Sequence, residues 1–440
     1  MAVNTYSASL VDTVRSLRSG GRSVAEYAVE LCDRLDEIEP EIRAFVPESS
    51  RRERLQVAAS ALETESPKPA NRGPLHGVPV GAKDIFHVDG LPTRAGSDLP
   101  TETLAGPEAA VVRELRAAGA LVLGKTHTTE FAYFEPGPTR NPHDTNHTPG
   151  GSSSGSAAAV AAGECPLALG SQTIGSVIRP AAFCGVVGLK PTYGRVPIEG
   201  VIPVAPSLDH VGWFTQDVSG ARLAASILCE DWLSDPVGTL DAQERPTIGV
   251  PDGPYLEQAS SAGIEAFERQ VEDLEAAGYE IRRVSLLDDI GTINERHETL
   301  MAAEMAIAHG ERGWYPAYAD QYSEATADLI ETGRAVSAGT IGDARAGRET
   351  IREELLETME GEDIDLGVSL AAPGPAPEGI DDTGDPVMNL PWTHVGVPAL
   401  TVPAGTADGL PVGLQCAARP MDDERLLAWS EGIESTLAEQ

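Results

Sequence analysis

The chain is predicted to be a layered α/β protein, and three observations carry this. Short apolar segments closed by Gly or Pro, HGVPVGAKD, ALVLGK, PLALGSQ and GVVGLKP, have the form of buried strands. Helix candidates at 107–119 and 155–163 alternate with them, the pattern that puts strands in a sheet and helices on its faces. The 440 residues are 41% hydrophobic and 23% charged, as in a globular chain and unlike a disordered one.

The elements follow in order. Residues 7 to about 47 are expected to be helical: Leu10, Val11, Val14 and Leu17 fall at helical spacing, and Gly20-Gly21 stops that element. Ser23-x-x-Glu26 has the form of a capping box opening a second helix through Leu35. Residues 63–74 form a polar, proline-bearing connection, and the alternating texture fills 75–215. Residues 240–360 turn acidic and helical (IEAFERQVEDLEAAG, DARAGRETIREELLETMEG) around the strand GYEIRRVSL. Strands return at 364–371 and 399–403, and a last helix begins at Glu424. No linker-like stretch flanks the helical region. One domain is therefore expected, with N-terminal helices at 1–66, a core at 75–215, a helical region at 240–360 and C-terminal strands and helix at 364–440.

Charge narrows the function. With 32 basic and 68 acidic residues the formal net charge is −36, which repels nucleic acid and anionic membranes. The acids are spread along helices rather than gathered in a tail, so a solvated acidic surface of the salt-adapted kind is expected. At molar salt the screening length is only about 3 Å, and the repulsion fades. Lysine is rare: Lys68, Lys83, Lys125 and Lys190 are the four in the chain. A lysine that must act as a base cannot be exchanged for arginine, which never deprotonates in a protein. The five cysteines are unclustered, which argues against a metal or disulfide framework. The N-terminus lacks a signal-peptide core and no apolar run reaches about 18 residues, so a cytoplasmic location is expected.

Two motifs mislead. Gly119-ALVL-Gly124-Lys125-Thr126 matches a phosphate loop in letters, but its middle is a buried strand with no N–H groups free for phosphates. Gly151-Ser152-Ser153-Ser154-Gly155 matches a nucleophile elbow, yet TRNPHDTNHTP before it is no strand. The nine histidines form no H-E-x-x-H, since His297-Glu298 lacks its second histidine.

A third reading joins distant pieces. TPGGSSSGSAAAVAAG (148–163) and GSQTIGSVIRPAAFCGVVGLKPTYGRVP (170–197) are two Gly/Ser loops, and LHGVPVGAKD (75–84) sets Lys83 after a short strand. With LRAAGALVLGKTHTTEFA (115–132), SLDHVG (207–212) and GVPALTVPAG (396–405), these segments resemble the amidase signature family over most of the chain. The resemblance implies an α/β/α architecture, one large mixed β-sheet covered by helices on both faces. It implies Ser176 as nucleophile, Ser152 as the serine that follows a cis peptide bond, and Lys83 as base. Backbone N–H groups of Thr173, Ile174, Gly175 and Ser176 would form the oxyanion hole. Arg179 stands where malonamidase-like members engage a substrate carboxylate; an ion pair within the fold is the competing reading.

The chemistry explains the residue types. Amides are poor electrophiles with poor leaving groups, so hydrolysis needs an activated nucleophile, a proton for the amine and a stabilised oxyanion. Lysine serves as base only when neutral, which requires its pKa to fall by roughly 2–3 units through burial or nearby positive charge. Asp84 would oppose this if it faced Lys83, but neighbours on a strand point to opposite faces. Ser153, Ser154 and Ser156 are read as turn and helix-cap residues, and Asp209, Lys125 and Lys190 as structural.

The expected function is hydrolysis of a small carboxamide to carboxylate and ammonia through an acyl-serine, with a small-molecule amide as partner, no cofactor and no metal, and a homodimer left open. The first alternative is the glutaminase component of a tRNA-dependent amidotransferase. The second is a non-catalytic scaffold, motivated by Ile174 where the family usually has Gly; Gln172, where many members have Asp, is a further departure that bears on rate more than on reaction type. A β-branched residue is costly if its φ must be positive.

Overall fold

In the computed structural model, which describes residues 9–233 and 245–438, ten strands form one mixed sheet. They are β1 (Pro79–Lys83), β2 (Leu121–Thr126), β3 (Leu167–Gln172), β4 (Val187–Lys190), β5 (His210–Thr215), β6 (Thr247–Asp252), β7 (Glu280–Ser285), β8 (Leu366–Leu370), β9 (Ala399–Ala407) and β10 (Leu410–Ala417). Their spatial order is β2-β1-β3-β5-β4-β9-β10-β8-β6-β7. β1 runs parallel to β2 and β3, β5 is antiparallel to β3 and β4, and β9 and β10 make an antiparallel hairpin. β6 lies parallel to both β8 and β7, so the strands of the acidic helical region extend the same sheet.

Helices cover both faces. α5 (Ser154–Ala161) and α6 (Ile178–Cys184) pack on each other over the central strands. A row of α4 (Ala110–Ala117), α7 (Val218–Leu228), α13 (Asp423–Ala438) and α8 (Ser261–Ala276) lies against the sheet without such packing on α5 or α6. β1 to β5 are buried along their whole length, as strands sandwiched between two helical layers must be, and this is why they read as unbroken apolar runs. β7 is an edge strand, and Glu280, Arg282 and Arg283 on it blunt pairing with other chains.

At the N-terminus α1 (Leu10–Ser19) ends as expected at Gly20, whose φ of 79° lets its N–H return to the last turn. α2 (Val24–Ile42) opens on Ser23, whose side chain accepts from Glu26 N. It runs past the expected end at Leu35, because Leu35, Ile38 and Ile42 continue the buried stripe through Pro40. α3 (Arg51–Glu65) has no counterpart in the sequence pattern: it buries only Leu55 and Ala59, too narrow a stripe to register as a period. α9 (Ile290–Glu311), α10 (Glu324–Arg334), α11 (Ala338–Gly361) and the short α12 (Leu390–His394) complete the helical side. Among the described residues no helix is long and apolar enough to cross a membrane.

The register matters for the site. Ala82 pairs with Leu169 and Lys83 with Thr126, so the C-terminal ends of β1 and β3 finish side by side. The loops that follow β3 and precede α5 meet at that edge.

Candidate active site

Lys83 is the last residue of β1 and is fully buried. Its Nζ lies 2.7 Å from Ser152 Oγ, 2.8 Å from Ser171 Oγ and 3.5 Å from Ser171 O. Burial pushes its pKa well below the usual lysine range, and the charge of Asp209 opposes this only in part. Asp84 faces the other way, onto Lys125 Nζ at 2.7 Å and Arg94 N at 3.2 Å. Strand alternation thus separates the candidate base from the neighbouring carboxylate, and gives Lys125 its structural role.

Ser152 sits in the turn before α5, after a cis Gly151–Ser152 peptide bond. Gly150 has a φ of 80°, which a side chain rarely adopts. At Gly155 a Cβ would lie 2.3 Å from Ala44 O and 2.5 Å from His127 N, so only glycine lets α5 start against that backbone. The neighbouring serines do not cap the helix as expected. Ser153 Oγ exchanges hydrogen bonds of 3.2 Å with the backbone of Ser171, and Ser156 Oγ donates to Leu169 O at 2.8 Å. They tie α5 to β3 and hold the two Gly/Ser loops in fixed relation.

The loop from Thr173 to Ser176 joins β3 to α6. Among the described residues, none of the four N–H groups at Thr173, Ile174, Gly175 and Ser176 is spent on an acceptor in the protein. Ile174 lies outside the positive-φ residues, so its backbone is ordinary and the β-branched side chain carries no conformational cost there. Gly175 is the restrictive position: a Cβ would stand 2.3 Å from Asn389 Oδ1 and 2.9 Å from Pro386 Cβ.

Gln172 explains the second departure. Its Oε1 accepts from Val177 N at 2.8 Å and Ile178 N at 3.0 Å, satisfying the start of α6, while its Nε2 donates to Thr393 Oγ1 at 2.8 Å. Thr393 Oγ1 donates in turn to Ile174 O at 2.6 Å. Thr173 Oγ1 donates to Asp209 Oδ1 at 2.6 Å, and Asp209 also receives Val204 N at 2.9 Å, so Asp209 has a structural place as expected. The loop is clamped at each end by side chains.

Ser176 is 8% exposed and opens on a narrow cleft, of about 10 Å³ in this structure, walled by Tyr133, Phe134, Ile174, Arg179, Met301 and Pro386. Among the described residues its Oγ makes no hydrogen bond within the protein, so the link from Ser152 to Ser176 is not closed in this structure. Such bonds often tighten only with substrate in place. Larger hollows lie elsewhere, one of about 410 Å³ beside α11 and one of about 580 Å³ beside α2, away from all three candidate residues. The convergence of chemistry, and not the volume, marks the site.

Arg179 is buried, its Nη2 donating to Gly151 O at 2.6 Å and Thr383 Oγ1 at 3.2 Å, and its Nη1 to Gly384 O. Burial pulls its pKa down to about 10, against the pull of Asp385 and Asp382. Its Nη groups hold backbone carbonyls rather than an ion-pair partner, and Nε alone is without an acceptor. Sequence reasoning missed Ser171, Thr393 and Asn389. Ser171 could have been found as a polar residue at the buried end of β3, next to Lys83; the other two lie about 220 positions away, beyond any local signal.

Fold and site together define a hydrolase built on a serine- and lysine-bearing α/β/α scaffold, and comparison with known proteins says which one. The sequence model of the amidase family matches residues 26–427, and the chain belongs to that family, whose members are hydrolases acting on C–N bonds. It is 33% identical to the A component of the glutamyl-tRNA(Gln) amidotransferase from Exiguobacterium sibiricum, over 95% of each chain. It is 33% identical to the component of the same name from Halobacterium salinarum, over 82% of this chain and 96% of the relative. A solved amidase structure superposes with a TM-score of 0.87 at 34% identity, covering 98% of this chain and 100% of that one. The peptide amidase from Stenotrophomonas maltophilia superposes at 0.81 with 25% identity, over 98% and 97%.

Proposed function

We propose that the chain is an amidase that hydrolyses a small carboxamide to a carboxylate and ammonia through an acyl-Ser176 intermediate. The observation that carries this is the fully buried Lys83 amine, hydrogen-bonded to the Ser152 hydroxyl with no carboxylate in contact among the described residues. A neutral amine has two N–H groups and one lone pair. Its N–H groups suit Ser171 Oγ and O, and its lone pair suits the Ser152 O–H.

In this reading Ser176 Oγ attacks the amide carbon as its proton passes to Ser152, whose own proton passes to Lys83. The carbonyl π electrons move onto oxygen, where the N–H groups of 173–176 meet the developing charge. Collapse breaks the C–N bond, the relay returns a proton to nitrogen, and ammonia leaves. Water then attacks the ester by the same route in reverse and releases the acid and Ser176. Arg179 positions the Gly151 carbonyl beside the candidate relay. We also read the chain as one domain, since strands from residue 79 to residue 417 share one sheet.

The relatives' names favour a second reading, the glutaminase component of an amidotransferase. Ammonia release from the isolated chain, abolished in Ser176→Ala, Ser152→Ala and Lys83→Met alike, with fluorophosphonate labelling lost only at Ser176→Ala among the serine variants, supports the first. Glutamine hydrolysis that requires a tRNA-binding partner protein supports the second.

A further inference from the structure

We infer that the substrates are monocarboxamides with an uncharged apolar acyl group, and that amides bearing a carboxylate are discriminated against. The inference rests on the acyl-Ser176 reading and names the substrate class of that site.

The cleft beside Ser176 carries three kinds of evidence. Its walls are apolar: Ile174, Met301 and Pro386 are buried, and the half-buried rings of Tyr133 and Phe134 meet edge to face at 4.8 Å and 77°. Such a rigid aromatic corner offers a flat acyl group area and dispersion contact without much ordering cost. Second, the Arg179 guanidinium on the wall has both Nη atoms committed, leaving Nε alone without an acceptor. Both Nη atoms of Arg179 are bonded to Gly151 O, Thr383 Oγ1 and Gly384 O, so the two-pronged face that would grip a carboxylate is turned into the protein. Third, the charges around the mouth are acidic. Asp385 is exposed and directly precedes Pro386 of the wall, and Asp382 is exposed and directly precedes Thr383, which holds Arg179. An entering carboxylate would lose hydration, find no open donor fork and approach the Asp382 and Asp385 carboxylates. An apolar acyl group meets none of these costs.

The test compares two substrates of matched shape, 4-methylpentanamide and succinamate, in which an isopropyl group replaces a carboxylate. The full chain in about 2 M KCl, where surface charge is screened, is assayed by ammonia release. The neutral amide should show kcat/KM higher by about ten-fold or more. Phe134→Ala should lower kcat/KM for 4-methylpentanamide and leave that for succinamate little changed. Asp385→Asn, which keeps the acceptor for Val387 N, should narrow the ratio by raising succinamate. Succinamate turned over as well as the neutral amide, or better, overturns the inference. Should neither amide turn over, the same comparison is read from the rate at which benzenesulfonyl fluoride and 4-carboxybenzenesulfonyl fluoride modify Ser176, where equal rates overturn it too. Failure of the underlying reading looks different: ammonia release that survives Ser176→Ala, or a folded chain that no fluorophosphonate labels at Ser176.

Discussion

Replacing Thr393 by valine tests whether the clamp on the 173–176 loop matters to chemistry. Valine keeps the shape of threonine and removes one hydroxyl. Two bonds go with it, the donation to Ile174 O at 2.6 Å and the acceptance from Gln172 Nε2 at 2.8 Å. Both orphaned groups stay buried, since Gln172 is fully buried and Ile174 is 8% exposed. An unsatisfied buried polar group costs about 1–3 kcal/mol, so the pair should lower stability by roughly 2–5 kcal/mol unless the loop shifts to find other partners. That shift is the functional part. Losing one oxyanion donor outright costs about 10²–10³ in kcat, and a loop moved rather than removed should cost about ten-fold. KM should stay within about two-fold, because the apolar walls are untouched. The assay is kcat and KM from ammonia release on protein shown to be folded, beside Thr393→Ser, which restores the hydroxyl and should recover most of the rate. A folded Thr393→Val enzyme with wild-type kcat would refute the reasoning. So would a Thr393→Ser enzyme as slow as the valine variant.

Other perturbations give further expectations. Because burial lowers the Lys83 pKa, kcat/KM should rise with pH through that lowered value and level off below the usual lysine range; a Ser152→Ala enzyme with residual activity and an unchanged acid limb would count against Lys83 as base. The linked stability effect has the opposite sense from an ion pair. Below the unfolded lysine pKa the unfolded chain holds a proton that the native chain lacks, so Lys83 opposes folding increasingly as pH falls toward its native pKa, and Lys83→Met should be at least as stable as wild type at neutral pH in urea titrations. Gly175→Ala should abolish most activity, since the added Cβ would lie 2.3 Å from Asn389 Oδ1; an active alanine variant would mean the loop has room to spare. Lys125→Met strands the buried Asp84 carboxylate and should cost about 3–5 kcal/mol in chemical denaturation, which Asp84→Asn in the same chain should partly relieve. With a net charge of −36, Tm should climb between about 0.1 and 2 M KCl, and a flat salt profile would dismiss salt adaptation.

What the sequence disclosed and what it withheld divide along physical lines. β1, β2 and β3 were legible because burial on both faces leaves unbroken apolar runs closed by small residues. Lys83, Ser152 and Ser176 were singled out by the resemblance of their segments to the amidase signature family, with the rarity of lysine as a supporting cue. The false phosphate loop was resolved by the same logic, since Leu121–Thr126 is indeed strand. α3 escaped because two buried residues make no period, and the true end of α2 escaped because Pro40 looks like a stop while Ile38 and Ile42 remain buried. The doubt over Ile174 could not be settled from letters: whether a β-branched residue is costly depends on φ, and φ is a property of the closed loop. Thr393 and Asn389 were invisible because only the folded sheet brings them to the loop after β3.

The candidate relay lies in one stretch of the polypeptide, while two residues of the cleft wall come from elsewhere in the chain. Lys83, Ser152, Ser171 and Ser176 all lie between positions 83 and 176, whereas Met301 and Pro386 reach the cleft from α9 and from the loop before α12. In the proposed reading, substitutions at 301 and 386 should alter the acyl preference without touching Lys83, Ser152 or Ser176. Position 301 is the cleaner of the two to vary, because Pro386 also stands against Gly175 in the loop after β3.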